Sequence, residues 1–160
     1  SACVGRMGMD SWVAPTFFCH AVHVKVDRET GVVRVLRVAA AHDSGTIVNP
    51  IGAEGQVEGG VVMGIGQALL EGSQIGEDGT ILNPGLLEYK LQTMADAPPI
   101  DIAFVGPSAT DGGPHGLKGI AEPPSVPTLA AIGNGIRQVT GARVRQLPMT
   151  PNRVWEAINA

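Results

Sequence analysis

Ile51-Gly52-Ala53-Glu54-Gly55-Gln56-Val57-Glu58-Gly59-Gly60-Val61-Val62-Met63-Gly64-Ile65-Gly66-Gln67-Ala68-Leu69-Leu70 places apolar residues at 57, 61, 62, 65, 68 and 69. A helix gathers those positions largely on one side. Glycines at 52, 55, 59, 60, 64 and 66 interrupt it, each costing up to about 1 kcal/mol relative to alanine. An isolated helix does not tolerate that load. A buried helix does, if its glycines admit another backbone or a ligand at close range. The run is not a dinucleotide fingerprint, because Gly64-Ile65-Gly66-Gln67-Ala68-Leu69 lacks the third glycine and does not open a helix after a strand. A buried, glycine-rich helix is expected, and a Rossmann unit is excluded.

On the N-terminal side, Thr16 to Asp27 alternates apolar and polar residues as a strand does, most clearly over Ala21-Val22-His23-Val24-Lys25-Val26. Asp27-Arg28-Glu29-Thr30-Gly31 is a turn with Gly31 free to take positive φ, and Val32 to Ala41 returns as the second strand of a hairpin. His20 and His23 are three apart and so face opposite sides of their strand. The histidines are expected at polar surface or edge positions.

On the C-terminal side, a second hairpin is expected from Ser73 around Gly76-Glu77-Asp78-Gly79. Leu86 to Met94 is undecided between helical and irregular. Ile100 to Val105 alternates like a half-buried strand, and Asp111 to Gly116 is loop by composition. Ser125 is placed to cap a helix over 126–140 that ends at Gly141, and Val144 to Leu147 is expected as a short strand. Thr150-Pro151 opens a last helix, with Val154 and Ile158 on its apolar stripe. The sum is an α+β class: β-hairpins packed with the Gly-rich buried helix and two further helices, without βαβ alternation, in a single domain over 1–160.

Composition narrows function. The net charge is −4 and no basic stripe is present, which argues against a nucleic-acid partner. Only six aromatic residues occur beside 22 Gly and 12 Pro, so the core must come from Val, Ile, Leu and Ala, and the chain is expected to lean on a partner for apolar burial. Cys3 and Cys19 make neither a zinc pattern nor a disulfide framework, and no metal ligand set is expected. They suit a reducing cytoplasm. No run reaches the length of a membrane span. Ser1-Ala2-Cys3-Val4-Gly5-Arg6 has no initiating Met or signal layout and reads as an internal or processed start.

The chemistry centres on Gly116-Leu117-Lys118-Gly119-Ile120-Ala121-Glu122-Pro123-Pro124. A residue before proline is pushed out of helical space, so Glu122 is extended and its direction largely fixed. Gly119 and Ala121 leave room for a bulky group near the backbone. Such a carboxylate serves either as a general base or as a loop residue capping the next helix.

Lys118-Gly119-Ile120-Ala121-Glu122-Pro123-Pro124 resembles the KGxGEPP signature of the xanthine dehydrogenase/aldehyde oxidase family of molybdenum hydroxylases. Asp43-Ser44-Gly45-Thr46-Ile47-Val48-Asn49-Pro50, Glu54 to Gly60 and Met63-Gly64-Ile65-Gly66 resemble that family's D-x-G-x-x-x-N-P, GQ-x-x-GG and G-x-G run, in the same order. The tail Val144-Arg145-Gln146-Leu147-Pro148-Met149-Thr150-Pro151 also fits. Ala121 stands where the family most often has Gly, which should crowd the cofactor slightly. The resemblance implies the C-terminal portion of a molybdopterin-binding domain, inside a larger molybdenum-binding region. It implies oxidative hydroxylation or dehydrogenation of an N-heterocycle or aldehyde, with water as oxygen source and Glu122 as general base. Gln56, Gly55, Asn49, Gly119 and Ala121 would lie at molybdopterin carrying Mo, in its plain or dinucleotide form. The implied partners are the remaining molybdenum-subunit sequence, and iron–sulfur (Fe-S) and flavin (FAD) subunits or domains, since two cysteines cannot hold a four-cysteine cluster. Two other classes stay open: a non-catalytic structural or assembly piece, and a small stand-alone binding module.

Overall fold

The computed structural model describes residues 8–9, 12–106 and 113–160. Its frame is a three-stranded sheet in the order β3-β4-β5, formed by Phe17–Val26, Val33–Asp43 and Ile100–Phe104. A separate two-stranded ribbon, β1 (Gly8–Met9) with β2 (Trp12–Val13), precedes it. β3 and β4 are the expected hairpin, in antiparallel register from Phe17 opposite Asp43 to Val26 opposite Val33. Its turn is closed by the Asp27 carboxylate, which accepts from the backbone N–H of Glu29 at 2.9 Å. Gly31 sits at φ 73°. Alternation in β4 slips once, opposite His23 and Val24. There Leu36 and Arg37 both face outward, so that Val33 and Val35 before the slip and Val38, Ala40 and His42 after it share the inner face. Such a bulge re-phases a strand without ending its pairing.

β5 pairs with β4 in parallel, from Val38 opposite Ile100 to His42 opposite Phe104. A parallel neighbour needs a crossover, and the segment between holds α1 (Pro50–Leu69). With α2 (Val126–Thr140), α1 covers the inner face of the sheet. Val38 and Ala40 meet Val57, Val61, Ile65 and Ala68 of α1 and Ile132 and Ile136 of α2 in one core. The two helices approach closely because α1 has no side chain where they touch. A Cβ on Gly60 would lie 2.6 Å from Pro124 Cβ, and one on Gly64 would lie 2.7 Å from Thr128 Cβ. α3 (Pro151–Asn159) adds Val154 to the core.

Several expectations are corrected. The hairpin expected from Ser73 is a turn with one isolated bridge, Ile75 to Ile81. Both flanks are exposed, and a two-stranded ribbon with nothing packed on it is marginal. Leu86 to Met94, which the pattern left open between helical and irregular, forms irregular turns. Val144 to Leu147 is not a strand: the backbone N–H of Met149 donates to Ala68 O and the Met149 side chain is buried, so the segment is held by the end of α1 and not by a ladder. α2 keeps its expected bounds, but the Ser125 hydroxyl donates to Glu122 O at 2.9 Å and makes no helix cap. Neither His20, on the edge strand β3, nor His42, on the central strand β4, is at the surface; both are buried, on the inner face. The strand pattern assigns them that face, and the polar side chain survives there by bonding, as follows. The expected loop over Asp111 to Gly116 is described only from Gly113, and Cys3 lies outside the described residues.

Candidate molybdopterin-facing groove

The two motif segments, far apart in sequence, are laced together. Thr46 N–H donates to Gly116 O at 2.8 Å and Lys118 N–H to Ser44 O at 3.2 Å. The Thr46 hydroxyl donates to His115 O at 3.0 Å. Gly45, at φ 68°, passes so near Gly116 that a Cβ would collide with its carbonyl. Beneath this lace, Lys118 Nζ meets Asp43 Oδ2 at 2.6 Å, with side chains 1% and 13% exposed, and the ammonium lies 5.5 Å from the centre of the Phe17 ring. Sequence reasoning quoted Asp43 and Lys118 as motif letters and gave them no role. Their opposite charges were the available signal, and their partnership is the structural one of holding segment to segment.

Lacing these segments onto the start of α1 creates an open cleft of about 240 Å³. Ser44, Asn49, Gly52, Gln56, Leu117 and Ile120 are among its lining residues. Asn49 ends the lace and begins the helix, its Oδ1 accepting from Gly52 N–H at 3.1 Å. Gln56 is exposed to the cleft, about two turns further on. Ser44 is 2% exposed, yet its hydroxyl has no partner. An unpaired buried hydroxyl calls for an explanation, and this one borders the cleft. Among the described residues Lys118 is the one charged residue in the lining, with its charge already matched by Asp43.

Three residues expected at the cofactor do not line this cleft. Gly55 lies round the helix from Gln56, in a second, wider depression of about 650 Å³ with Glu58, Gly59 and Met63. Successive helical residues differ by about 100°, so Gly55 and Gln56 do not share a cleft. Gly119 is exposed beside the cleft, its carbonyl accepting from the Thr16 hydroxyl at 2.9 Å, and Ala121 is exposed as well. Glu122 follows Ile120 by two residues. Its backbone is fixed by Ser125, whose N–H and hydroxyl both donate to Glu122 O, while its side chain faces solvent. The burial that a general base needs does not come from these residues.

Behind the turn lies a buried polar chain that sequence reasoning missed. The Thr128 hydroxyl donates to Pro124 O at 3.2 Å and is 3.0 Å from His20 Nδ1. His20 Nε2 is 2.7 Å from His42 Nε2. Burial, reinforced by His42, pulls the His20 pKa down to about 4, and burial lowers that of His42. Both rings are therefore neutral at pH 7.

The family model described as "Molybdopterin cofactor-binding domain" matches residues 7–98. The chain is 43% identical over 143 residues to the putative xanthine dehydrogenase molybdenum-binding subunit XdhA of Escherichia coli K12, a match spanning 89% of this chain and 19% of the relative. It is 35% identical over 142 residues to the nicotine 6-hydroxylase large subunit of Paenarthrobacter nicotinovorans, covering 86% and 17%. The fold superposes on quinoline 2-oxidoreductase from Pseudomonas putida 86 with a TM-score of 0.84 and 31% identity, over 93% of this chain and 19% of that one. For the aldehyde oxidoreductase of Desulfovibrio gigas the TM-score is 0.81, at 31% identity, over 92% and 16%. The chain thus spans about a fifth of the length of the relatives it matches. With more than half of its residues in the family match and the same fold in solved molybdenum-hydroxylase-type structures, it belongs to the molybdopterin cofactor-binding domain family of xanthine dehydrogenase- and aldehyde oxidoreductase-like proteins.

Proposed function

We propose that these residues are the C-terminal portion of a molybdopterin-binding domain in an enzyme that oxidatively hydroxylates or dehydrogenates an N-heterocycle or aldehyde, with Glu122 as general base. The observation that carries this reading is the convergence of Asn49, Gln56 and the 117–120 loop on one cleft in a chain of this family. The donor set suits a pterin. Gln56 offers an amide, Ser44 a buried hydroxyl without a partner, and the N-terminal end of α1 carries partial positive charge that favours an anionic tail. No acidic side chain lines the cleft among the described residues.

When bound, the molybdenum cofactor supplies the two-electron redox chemistry, and protein groups supply orientation and proton handling. Gln56, Asn49 and Ser44 would hold and orient it, and Gly119 and the small Ala121 would leave room beside it. Glu122 would accept the proton of the water that supplies the oxygen, while the two electrons of the broken C–H bond would be taken up by the cofactor's redox chemistry. That role asks for the rest of the subunit to bury the turn and bring the carboxylate within hydrogen-bond reach of the reacting oxygen. Fe-S and FAD groups on other subunits or domains would accept the electrons, in a cytoplasmic assembly.

Glu122→Gln in the complete molybdenum subunit keeps size and removes proton acceptance. Turnover, assayed with a dye acceptor over a panel of N-heterocycles and aldehydes, should fall at least about a hundredfold, roughly 2.7 kcal/mol of barrier. Molybdenum and pterin content should not change. Near wild-type turnover at full cofactor loading returns Glu122 to a purely structural loop role.

A further inference from the structure

The buried His20–His42 pair has no part in binding or proton transfer as described, yet it connects directly to the turn that carries Glu122. His20 is 6% exposed and His42 fully buried. They are diagonal neighbours on the inner face, since His20 lies opposite Ala40 and His42 opposite Phe18. Two neutral imidazoles bring one N–H each. An Nε2 to Nε2 bond of 2.7 Å uses one of these protons, and the bonding pattern assigns the other. If His20 donated to His42, the remaining N–H of His42 would sit on its Nδ1, which is buried without a partner. A buried donor without an acceptor carries a full desolvation penalty. The favoured assignment has His42 Nε2–H donating to His20, His20 Nδ1–H donating to the Thr128 hydroxyl, and that hydroxyl donating to Pro124 O. Every N–H and O–H then has an acceptor.

We propose that His20 and His42 are positioning residues for the Glu122 turn, acting through the Thr128 hydroxyl on the Pro124 carbonyl. This rests on the reading of Glu122 as the base. Pro123 and Pro124 have no N–H with which to anchor themselves, so the turn is held through carbonyls: Ser125 fixes that of Glu122 and Thr128 that of Pro124. From the other side Gly60 of α1 lets the Pro124 ring seat directly on the helix. The histidines orient the Thr128 hydroxyl of this clamp. With His20 donating to it, the Thr128 proton has a single direction left, towards Pro124.

The test uses the complete molybdenum subunit. Thr128→Val keeps the Cβ and Cγ2 atoms that pack on Gly64 and exchanges only the hydroxyl for a methyl of similar size. It should lower kcat about tenfold, the worth of one buried hydrogen bond expressed as rate. KM and molybdenum content should be unchanged, and amide hydrogen exchange at Ser125, read by mass spectrometry, should speed up. Thr128→Ser should restore both readouts. His20→Gln should match Thr128→Val, and the double variant should be no worse than either, because both cut one chain. Wild-type kcat in Thr128→Val, or a double variant falling about a hundredfold, overturns the proposal. If Glu122→Gln is inactive while Thr128→Val turns over normally, positioning fails and the base stands. If Glu122→Gln is itself fully active, the base reading fails, and unchanged exchange at Ser125 would then remove the clamp too.

Discussion

Lys118 and Asp43 show how burial changes the worth of an ion pair. With 1% and 13% of their side chains exposed, removing one partner strands the other charge away from water. Lys118→Met should destabilise the chain by about 3 kcal/mol, measured by denaturant unfolding, and adding Asp43→Asn should recover much of the loss. Arg37 and Asp101 pair as closely in space, but at 63% and 52% exposure water already screens them, and Arg37→Ala should leave the unfolding midpoint where it is. Gln56 is the opposite kind of residue, exposed on a helix and making no contact that the fold needs. Gln56→Ala should leave stability unchanged while molybdenum and pterin content of the complete subunit falls. Normal content with normal turnover would count against a cofactor role.

At the scale of elements, α1 owes its glycines to different neighbours. Gly60 and Gly64 are required by α2, since any Cβ there meets Pro124 or Thr128 below 3 Å. Gly59, one residue away, has nothing within 4 Å. Gly60→Ala should therefore cost about 1–3 kcal/mol through overpacking. Gly59→Ala should gain up to about 1 kcal/mol from helix propensity. Equal effects, read from thermal unfolding of the 160-residue chain, would mean that the helices do not pack through Gly60. The hairpin β3–β4 has its own signature: Gly31 both turns the chain and leaves room for Pro151 O, which a Cβ would strike, so the turn and the start of α3 are specified together.

For the whole molecule, the governing facts are an open cleft and a surface rich in uncovered apolar residues. Met94 is 96% exposed, Ile51 84% and Leu87 82%, and the relatives are about five times longer than this chain. One wall of a binding site makes few of the contacts a large cofactor needs, and only excess contact energy over ordering cost appears as affinity. These 160 residues by themselves should not retain molybdopterin. Stoichiometric molybdenum on the lone chain, measured by metal analysis after gel filtration, would reverse that conclusion. Among the described residues no helix is long and apolar enough to cross a membrane.

Local chemistry was legible wherever one residue constrains its own neighbourhood. Asp27 to Gly31 announced the hairpin turn, Gly141 the end of α2, Thr150-Pro151 the start of α3, and the spacing of Val57, Val61 and Ile65 the buried face of α1. The motifs at 43–66 and 116–124 also carried the family in their letters alone. What those letters could not carry was pairing across distance. Val144 to Leu147 has strand composition, but whether it pairs depends on a neighbour, and the end of α1 claimed the chain first. A histidine alternating with apolar residues is neutral on the question of burial. Only folding brings His42 within 2.7 Å of His20 and supplies the bonds that let both stay inside. The same holds for Lys118 and Asp43, 75 residues apart: each is a surface charge in the sequence, and the tertiary structure alone makes them one buried pair, because the energy that places them there exists only when both are present.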